Sequence, residues 1–266
     1  MVLLDNMRRP AVRTRNFEKL EDYYDGLPPS PAFARRGYFL LGSIFHPTVT
    51  EDDGAIERTA EIIADPKKRL LIPSNHAVMV DPLHKAALVA KTPQLHPLMG
   101  TAFILAKPVL FHIPVMRGAI DKMGAVPIFR ASSEKDKRYI DPEVDAQKAN
   151  TELNQVYRRR LEKGGTLMGY VEASRTKDPE QRRQLSRVKK GLGHIAAAVD
   201  PDLDLHVLPM AIRYDGRHYL TPSVHLGYPF LVEADNPDEI TATIQTHLQQ
   251  AMNHLYDGDE PKPPVS

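Results

Sequence analysis

Apolar residues in the central part of the chain occur in short runs separated by longer amphipathic segments. Five runs predict buried strands, at 70–72, 102–105, 125–129, 166–171 and 206–212, and a shorter run at 224–226 predicts a sixth. Helices are predicted before the first strand and over 83–90, 141–163, 192–199 and 237–255. Strands that alternate with helices predict an α/β fold with a mostly parallel central sheet flanked by helices. Such sheets bind ligands at the carboxyl ends of their strands.

The last predicted helix has the most complete start signal. Asn236 is a preferred N-cap, Pro237 suits the first helical position, and Glu239 completes a capping box. Its apolar stripe predicts the side that faces the core: Ile240, Ile244, Leu248, Ala251 and Leu255.

The two ends of the chain differ from this central pattern. The first 30 residues are rich in charge and end in a Pro-Pro-Ser-Pro sequence, whereas the residues after Asp257 are polar and rich in proline. We therefore expect a short helical N-terminal extension at 1–54, an α/β domain at 55–257 and a disordered tail at 258–266.

Composition excludes some kinds of chemistry. The 266 residues include no Cys, which rules out disulfides, thiolate nucleophiles and zinc held by cysteine, and which fits a reducing compartment. The net charge of +1 gives no overall attraction to nucleic acid. The basic residues occur in short runs such as Arg35-Arg36 and Lys67-Lys68-Arg69. We expect most of these runs to be exposed to solvent and one or two of them to bind phosphate or anionic lipid.

The longest apolar stretch is too short to cross a bilayer. Residues 37–45 follow Arg35-Arg36 and are mainly aromatic and aliphatic, but a spanning helix needs about 20 such residues. Two interpretations remain: a helix packed on the main domain, or an element at 33–45 that lies in the membrane interface. The first residues do not have the pattern of a signal peptide.

A histidine and an aspartate follow the first predicted strand. His76 and Asp81 lie between the strand at 70–72 and the helix at 83–90. Residues five apart on one helix point about 140° away from each other, so the pair can meet only if His76 lies in a loop and Asp81 at the helix start. Pro82 supports this placement. The pair is then suited to be a general base with its orienting partner. The alternative interpretation is that Asp81 caps a helix beside an ordinary loop histidine.

Other polar residues and one proline complete an ordered series along the chain. Arg130 ends the strand at 125–129, Glu172 and Arg175 follow the strand at 166–171, and Pro209 lies in the strand at 206–212. The same His–Asp spacing recurs at His254–Asp259, where no strand precedes it, so this series distinguishes the first pair.

Over residues 70–215 this series resembles the glycerolipid acyltransferase family, which includes lysophosphatidic acid and glycerol-3-phosphate acyltransferases. The four blocks of the family are matched by Asn75-His76 through Asp81-Pro82, by Gly124 through Arg130, by Glu172-Ala173-Ser174-Arg175-Thr176 and by Val207-Leu208-Pro209-Met210. Lys107 belongs to a segment that is similar to the family's lead-in to the second block. In the third block Ala173 and Ser174 replace the usual glycine and threonine, and a side chain at the glycine position changes the shape available to the acceptor.

The resemblance implies that the 55–257 domain is an acyltransferase with no covalent intermediate and no cofactor besides its co-substrate, acyl-CoA or acyl carrier protein. His76 would take the proton of an acceptor hydroxyl while Asp81 holds the imidazole. Lys107, Arg130 and Arg175 would bind the acceptor's phosphate, Glu172 would hold an arginine or an acceptor hydroxyl, and Ala173 and Ser174 would line that site. We expect a cytoplasmic protein, peripheral on the membrane through residues 33–45, with no nucleic acid partner.

Four alternatives stay open at this stage. The first is that the charged strand-end residues form a structural ion-pair network, and the second is that the acceptor is a different lipid alcohol. His76, Asp81 and His84 are suited to bind zinc or iron in a metal-dependent hydrolase, with Glu172 as base. A peripheral lipid-binding protein that has lost catalysis is the non-enzymatic alternative.

Overall fold

The computed structural model describes residues 24–25, 30–107, 110–111, 114–129, 146–172, 183–185, 188–215 and 219–256. Its helices are α1 (Pro31–Ile44), α2 (Ala55–Ala64), α3 (Asp81–Lys91), α4 (Pro114–Lys122), α5 (Ala146–Glu162), α6 (Gly191–Ala197) and α7 (Pro237–Tyr256), with a 3₁₀ helix at Pro93–Leu98. The strands are β1 (Thr48–Glu51), β2 (Lys68–Ser74), β3 (Ala102–Ala106), β4 (Ala125–Pro127), β5 (Thr166–Tyr170), β6 (Asp204–Val207), β7 (Met210–Arg213), β8 (Ser223–Leu226) and β9 (Phe230–Leu231).

These strands form one mixed sheet in the order β1-β8-β7-β2-β5-β3-β4, with β6 also paired to β2 and β9 paired to β6. The pairs around the centre, β2–β5, β5–β3 and β3–β4, are parallel. The antiparallel pairs are β7–β8 and β6–β9. The predicted fold class is confirmed: an α/β structure with a mostly parallel sheet flanked by helices.

The prediction of one continuous strand at 206–212 is wrong. The chain beside β2 is divided into β6 and β7, with Leu208 and Pro209 between them. Leu208 still donates its backbone N–H to Leu71 at 2.9 Å, but proline has no N–H to donate to the ladder. After this interruption β7 turns to pair with β8, so the sheet continues toward β1.

The strand predicted at 125–129 ends two residues early. Ile128 still donates to the carbonyl of Ala106 at 2.9 Å. At Phe129 the side chain of Asn150 takes the place of a strand partner: its Oδ1 accepts from the Phe129 N–H at 2.8 Å and its Nδ2 donates to the Phe129 carbonyl at 2.6 Å. The helix α5 therefore fixes the backbone immediately before Arg130.

Apolar side chains cover the sheet on both faces. One core cluster includes Leu71, Leu167 and Val207 of the central strands together with apolar residues of α5, α6 and α7. The other includes Leu70, Ile72 and Met168 together with residues of α1, α2 and α3. Successive strand residues thus face opposite clusters, which explains the continuous apolar runs in the sequence.

Asn236 caps the start of α7, as its position in the sequence predicts. Asn236 Oδ1 accepts from the N–H of Asp238 at 2.8 Å, and the N–H of Ile240 donates to the Asn236 carbonyl at 3.0 Å. Ile240, Ile244, Leu248 and Ala251 are buried, so the predicted stripe faces the core.

The helix α1 packs on α3 and leaves its other side exposed. Ala34 and Tyr38 are buried, and Gly42 lies so close to α3 that a Cβ atom there would come within 2.9 Å of the Cβ of Ala90. On the opposite side Phe33, Phe39, Leu40 and Ile44 are exposed. In the described part of the chain, no helix is both long and apolar enough to cross a bilayer.

Candidate active site

The loop that carries His76 begins at the carboxyl end of β2 and ends at the first residue of α3. The side chain of Asn75 anchors this loop to β7, because its Oδ1 accepts from the N–H of Ile212 and its Nδ2 donates to the Ile212 carbonyl, both at 2.8 Å. The amide thereby bonds both the N–H and the carbonyl of Ile212, a residue that is also in register with Val224 of β8. The loop is therefore anchored to β7 at the residue immediately before His76.

His76 and Asp81 form a hydrogen-bonded pair across this loop. The distance from His76 Nδ1 to Asp81 Oδ2 is 2.8 Å, and the Asp81 side chain has no solvent exposure. The structure therefore brings together the two residues that the sequence places in a loop and at a helix start. Asp81 is itself the first helical residue, with Val80 in the flanking position. Its carboxylate points back to the loop, where it accepts from the N–H of Val78 at 3.0 Å.

A third donor to Asp81 comes from a residue 133 positions later in the chain. Tyr214, which follows β7, donates its hydroxyl to Asp81 Oδ1 at 2.6 Å. Each oxygen of the buried carboxylate therefore has at least one donor, which stabilises the negative charge. A carboxylate with this set of donors accepts the proton on Nδ1 of His76, and the lone pair of the imidazole is then on Nε2. This arrangement is suited to general base catalysis at Nε2.

Glu172 contacts the backbone of the same loop. Its Oε2 accepts from the N–H of His76 at 2.7 Å, and the residue is buried. The sheet explains the contact: Ser74 and Tyr170 are paired in the parallel strands β2 and β5, and the N–H of Val171 donates to the Ser74 carbonyl at 3.1 Å. The residues that follow these strands must therefore lie side by side. The Glu172 carboxylate thus bonds the backbone of His76. Its predicted contact with an arginine or an acceptor hydroxyl stays a prediction.

The ring of Tyr170 stacks on the imidazole of His76. The ring centroids are 4.3 Å apart and the planes are inclined by 28°. Burial raises the pKa of the Tyr170 phenol well above its usual value, so this ring is neutral. The Nζ atom of Lys85 lies 3.9 Å from the centroid of the same ring and 3.4 Å from the carbonyl oxygen of Gly169. When the amine is protonated, its contact with the aromatic face is favourable.

Lys85 is a fully buried amine beside this site. Burial lowers its pKa from 10.5 to about 7, and the nearby charge of Asp81 opposes the shift. Lys85 lies four residues after Asp81 in α3, so both face the same side of the helix. The sequence analysis missed Lys85, although this spacing is a signal that would have found it.

Tyr170 and Tyr214 were also missed, for a different reason. They lie 94 and 138 positions after His76 in the printed sequence. Their contacts depend on which strands are neighbours in the sheet, and no local pattern in the sequence gives that order.

His84 does not join His76 and Asp81 as a ligand set. Its ring packs edge-on against Phe45, at 4.6 Å between centroids, and against Tyr214, at 5.5 Å. Burial lowers the pKa of this imidazole. Within the described ranges, the ligand atoms of these three residues do not gather around one position suitable for an ion. The metal-dependent alternative therefore gains no support from the geometry.

The other predicted site residues are placed in part. Lys107 immediately follows β3 and is half-buried, and its carbonyl accepts from the N–H of Leu110 at 3.1 Å. Arg130, Ala173, Ser174 and Arg175 lie outside the described residues, so their predicted roles in binding the acceptor stay predictions.

A cavity of about 480 Å³ lies elsewhere in the fold. It is lined by Gly54, Glu57, Arg58, Glu61, His206, Tyr228, Pro229 and Leu231. None of these residues belongs to the loop at 75–80, and none is among the hydrogen-bond or stacking partners described for His76. We therefore locate the active site by the His76–Asp81 pair and not by this cavity.

Comparison with protein families agrees with this site. The chain matches the model of the Acyltransferase family over residues 55–213, which is more than half of its 266 residues and includes His76, Asp81 and Glu172. The chain belongs to this family, the glycerolipid and lysophospholipid acyltransferases. It is therefore an acyltransferase enzyme. Comparison with curated proteins finds no match.

Proposed function

We propose that this enzyme transfers a fatty acyl group from an acyl thioester to a hydroxyl group of a glycerolipid-type acceptor, in phospholipid or glycerolipid biosynthesis. Lysophosphatidic acid and glycerol-3-phosphate are the acceptors we expect first, and acyl-CoA or acyl carrier protein is the donor. The observation that carries the proposal is the 2.8 Å hydrogen bond from His76 Nδ1 to the fully buried Asp81. It gives a base at Nε2 with a fixed orientation.

The proposed reaction needs one proton to move twice. Nε2 of His76 takes the proton of the acceptor hydroxyl as its oxygen attacks the thioester carbonyl, and the carboxylate of Asp81 stabilises the imidazolium that forms. When the tetrahedral intermediate collapses, the carbon–sulfur bond breaks and the pantetheine thiolate receives the proton from Nε2. The products are an ester and a free thiol, and His76 returns to its neutral form. A base positioned in this way contributes a factor on the order of 10²–10⁴ to the rate.

Recognition of the acceptor's phosphate rests on the sequence blocks. Arg130 and Arg175 are suited to bind a phosphate through two parallel hydrogen bonds each, and Lys107 adds a further positive charge after β3. Glu172 follows β5, and Arg175 is three residues later in the sequence. Ala173 and Ser174 would line the acceptor site between Glu172 and Arg175.

We also propose that the enzyme works on the membrane surface. The exposed fractions of Leu40, Ile44 and Phe39 on α1 are 62%, 47% and 44%. These side chains together with Phe33 are called the apolar face of α1 below. Two further apolar residues are exposed: Met79 in the loop that carries His76, and Leu220, whose carbonyl accepts from the N–H of His46 just after α1. A membrane that contacts Met79 would lie close to the His76–Asp81 pair.

The proposed reaction is tested by release of free thiol from palmitoyl-CoA and from palmitoyl acyl carrier protein. The acceptors are lysophosphatidic acid, glycerol-3-phosphate and a neutral monoacylglycerol. We expect thiol release that depends on a phosphorylated acceptor, with the new ester identified by mass spectrometry. Acylation of the neutral alcohol alone would contradict the assigned acceptor, and no transfer to any acceptor by folded protein would favour a lipid-binding role.

The arginines are tested in the same assay. Arg130→Ala and Arg175→Ala should raise KM for the phosphorylated acceptor by about tenfold or more, because each removes a charged hydrogen bond to phosphate. KM for the thioester should not change. Lys163→Ala, which removes an exposed positive charge at the end of α5, is the matched control.

A further inference from the structure

A second cluster of histidine and carboxylate side chains lies apart from the catalytic loop. Asp52 follows β1, His225 belongs to β8, and His254 lies in the last turn of α7. These three positions are outside residues 55–213, the part of the chain that matches the family. The cluster therefore does not belong to the machinery that the family shares.

The potential metal ligands of the three side chains lie close together. His225 Nε2 is 3.1 Å from Asp52 Oδ1, and His254 Nε2 is 3.7 Å from the same oxygen. Considered as one ligand atom per residue, all three lie within 4.8 Å of one another. The two imidazole rings are stacked, with centroids 4.8 Å apart and planes inclined by 22°.

Asp52 is fixed by the backbone around it. Its N–H donates to the carbonyl of Leu226 at 2.9 Å, and its Oδ2 accepts from the N–H of Tyr228 at 2.8 Å. The second oxygen, Oδ1, is the one that lies near both histidines. A carboxylate held through one oxygen presents the other in a defined direction.

The ring of His225 is oriented in the same manner. Its Nδ1 lies 3.0 Å from Thr50 Oγ1, and that hydroxyl is 3.4 Å from the carbonyl of Val224. Without an ion, Nε2–H of the ring donates to Asp52 Oδ1. With an ion bound at Nε2, the ring proton lies on Nδ1 and is donated to Thr50 Oγ1, whose hydroxyl donates to the Val224 carbonyl. A second hydrogen bond that fixes the tautomer and the ring direction is the usual support of a histidine that binds a metal ion.

We propose that Asp52, His225 and His254 bind a divalent transition-metal ion, with Zn²⁺ as the preferred ion and water as the remaining ligand. Two imidazoles and one carboxylate are a ligand set that zinc accepts. Ligands about 2.0–2.1 Å from a tetrahedral ion are roughly 3.3 Å apart. His254 therefore has to move inward on binding, and its side chain, 56% exposed, has room to do so. The ion would join the edge strand β1 to the end of α7.

The experiment uses the full chain after treatment with a chelator, followed by equilibrium dialysis against ZnCl₂ and elemental analysis. We expect one zinc ion per chain in the wild type, and its loss in His254→Gln. That substitution changes an exposed side chain and leaves the His225–Asp52 hydrogen bond in place. His194→Gln, an exposed histidine on α6, is the matched control and should retain the ion.

Two further measurements separate this site from weak binding to surface histidines. At a zinc concentration 100 times Kd, the Tm of the wild type should rise by about 5 °C, whereas His254→Gln should not respond. Co²⁺ should give the visible absorption of a four-coordinate site in the wild type and lose it in His254→Gln. Zinc binding that is absent, or equal in both glutamine variants, would overturn the proposal and leave His225–Asp52 as a structural hydrogen bond. None of these readouts depends on acyl transfer.

Discussion

The imidazole of His76 and the ring of Tyr170 are stacked, with centroids 4.3 Å apart. Tyr170 is the last residue of β5, the strand that pairs with β2 up to Ser74. The sheet therefore supplies a flat apolar surface against which the imidazole lies while Nδ1 bonds to Asp81. This contact restricts rotation of the ring about the bond that would move Nε2 away from the acceptor.

Tyr170 can be tested with a pair of substitutions. Tyr170→Ala removes the stacked ring and should lower kcat by about tenfold, in line with the roughly 0.5–1.5 kcal/mol of an aromatic pair. Tyr170→Phe should retain most of the activity, because the buried hydroxyl has no hydrogen-bond partner among the described residues. Steady-state kinetics at saturating thioester measures both. Equal losses in the two variants would show that the hydroxyl, and not the ring, is needed.

Tyr214 is expected to position Asp81. Tyr214→Phe removes the 2.6 Å hydrogen bond to Asp81 Oδ1 and leaves a buried carboxylate with one donor fewer. We expect kcat to fall by about tenfold with KM little changed, and the free energy of unfolding to fall by about 1–3 kcal/mol. Urea unfolding and steady-state kinetics check this. Tyr219→Phe is the control, because the Tyr219 ring packs on Tyr214 and is exposed. The same kcat and the same free energy of unfolding in the two variants would argue against a positioning role for Tyr214.

Lys85 should make stability depend on pH. Its pKa is about 7 in the folded protein against an ordinary 10.5, so between these values folding requires the ammonium to release a proton. The resulting destabilisation is greatest at pH 7 and below, and it declines as the pH rises toward 10.5. Lys85→Met should therefore be more stable than the wild type by about 1–4 kcal/mol at pH 7, with a smaller difference at pH 9.5.

Urea unfolding of the two proteins at both pH values measures this difference. Lys91→Met, at the exposed end of the same helix, is the control and should show no such trend. A difference for Lys85→Met that stays constant with pH would mean that Lys85 is charged in the folded protein throughout this range.

The apolar face of α1 should bind membranes. Replacing Phe39, Leu40 and Ile44 with Ser should weaken sedimentation with anionic phospholipid vesicles by at least about tenfold, since each side chain contributes roughly 1.5 kcal/mol or more when buried in lipid. The Tm should change little, because these side chains are exposed. The control replaces two other exposed residues with Ser: Tyr228, which lies between β8 and β9, and Leu231, which lies in β9. Unchanged sedimentation of the α1 variant would contradict docking through this face.

Much of the fold could be predicted because the central strands are buried on both faces. Such strands form continuous apolar runs, so β2, β3 and β5 are evident in the sequence. The strand β1 was not predicted, because Thr48–Glu51 is short, polar in part and half exposed, and its partner β8 lies far along the chain. The interruption at Pro209 was missed because the apolar run continues through a residue that cannot donate to the ladder.

The site divides in the same way. His76 and Asp81 are five residues apart, so a loop followed by a helix start is enough to predict their meeting. The contacts of Glu172, Tyr170 and Tyr214 with this pair depend on strand order and on the division at Pro209. Local sequence patterns carry no information about that order, and so these contacts required the structure.

The central claim is that His76 is the base for transfer of an acyl group to an acceptor hydroxyl. The most direct measurement is the rate of acceptor-dependent thiol release from palmitoyl-CoA in the wild type and in His76→Ala, using the acceptor that responds best. Folding of both proteins is compared by thermal unfolding. We predict that His76→Ala lowers kcat by a factor on the order of 10² or more with a similar Tm. A folded His76→Ala protein that transfers the acyl group at the wild-type rate would contradict the account.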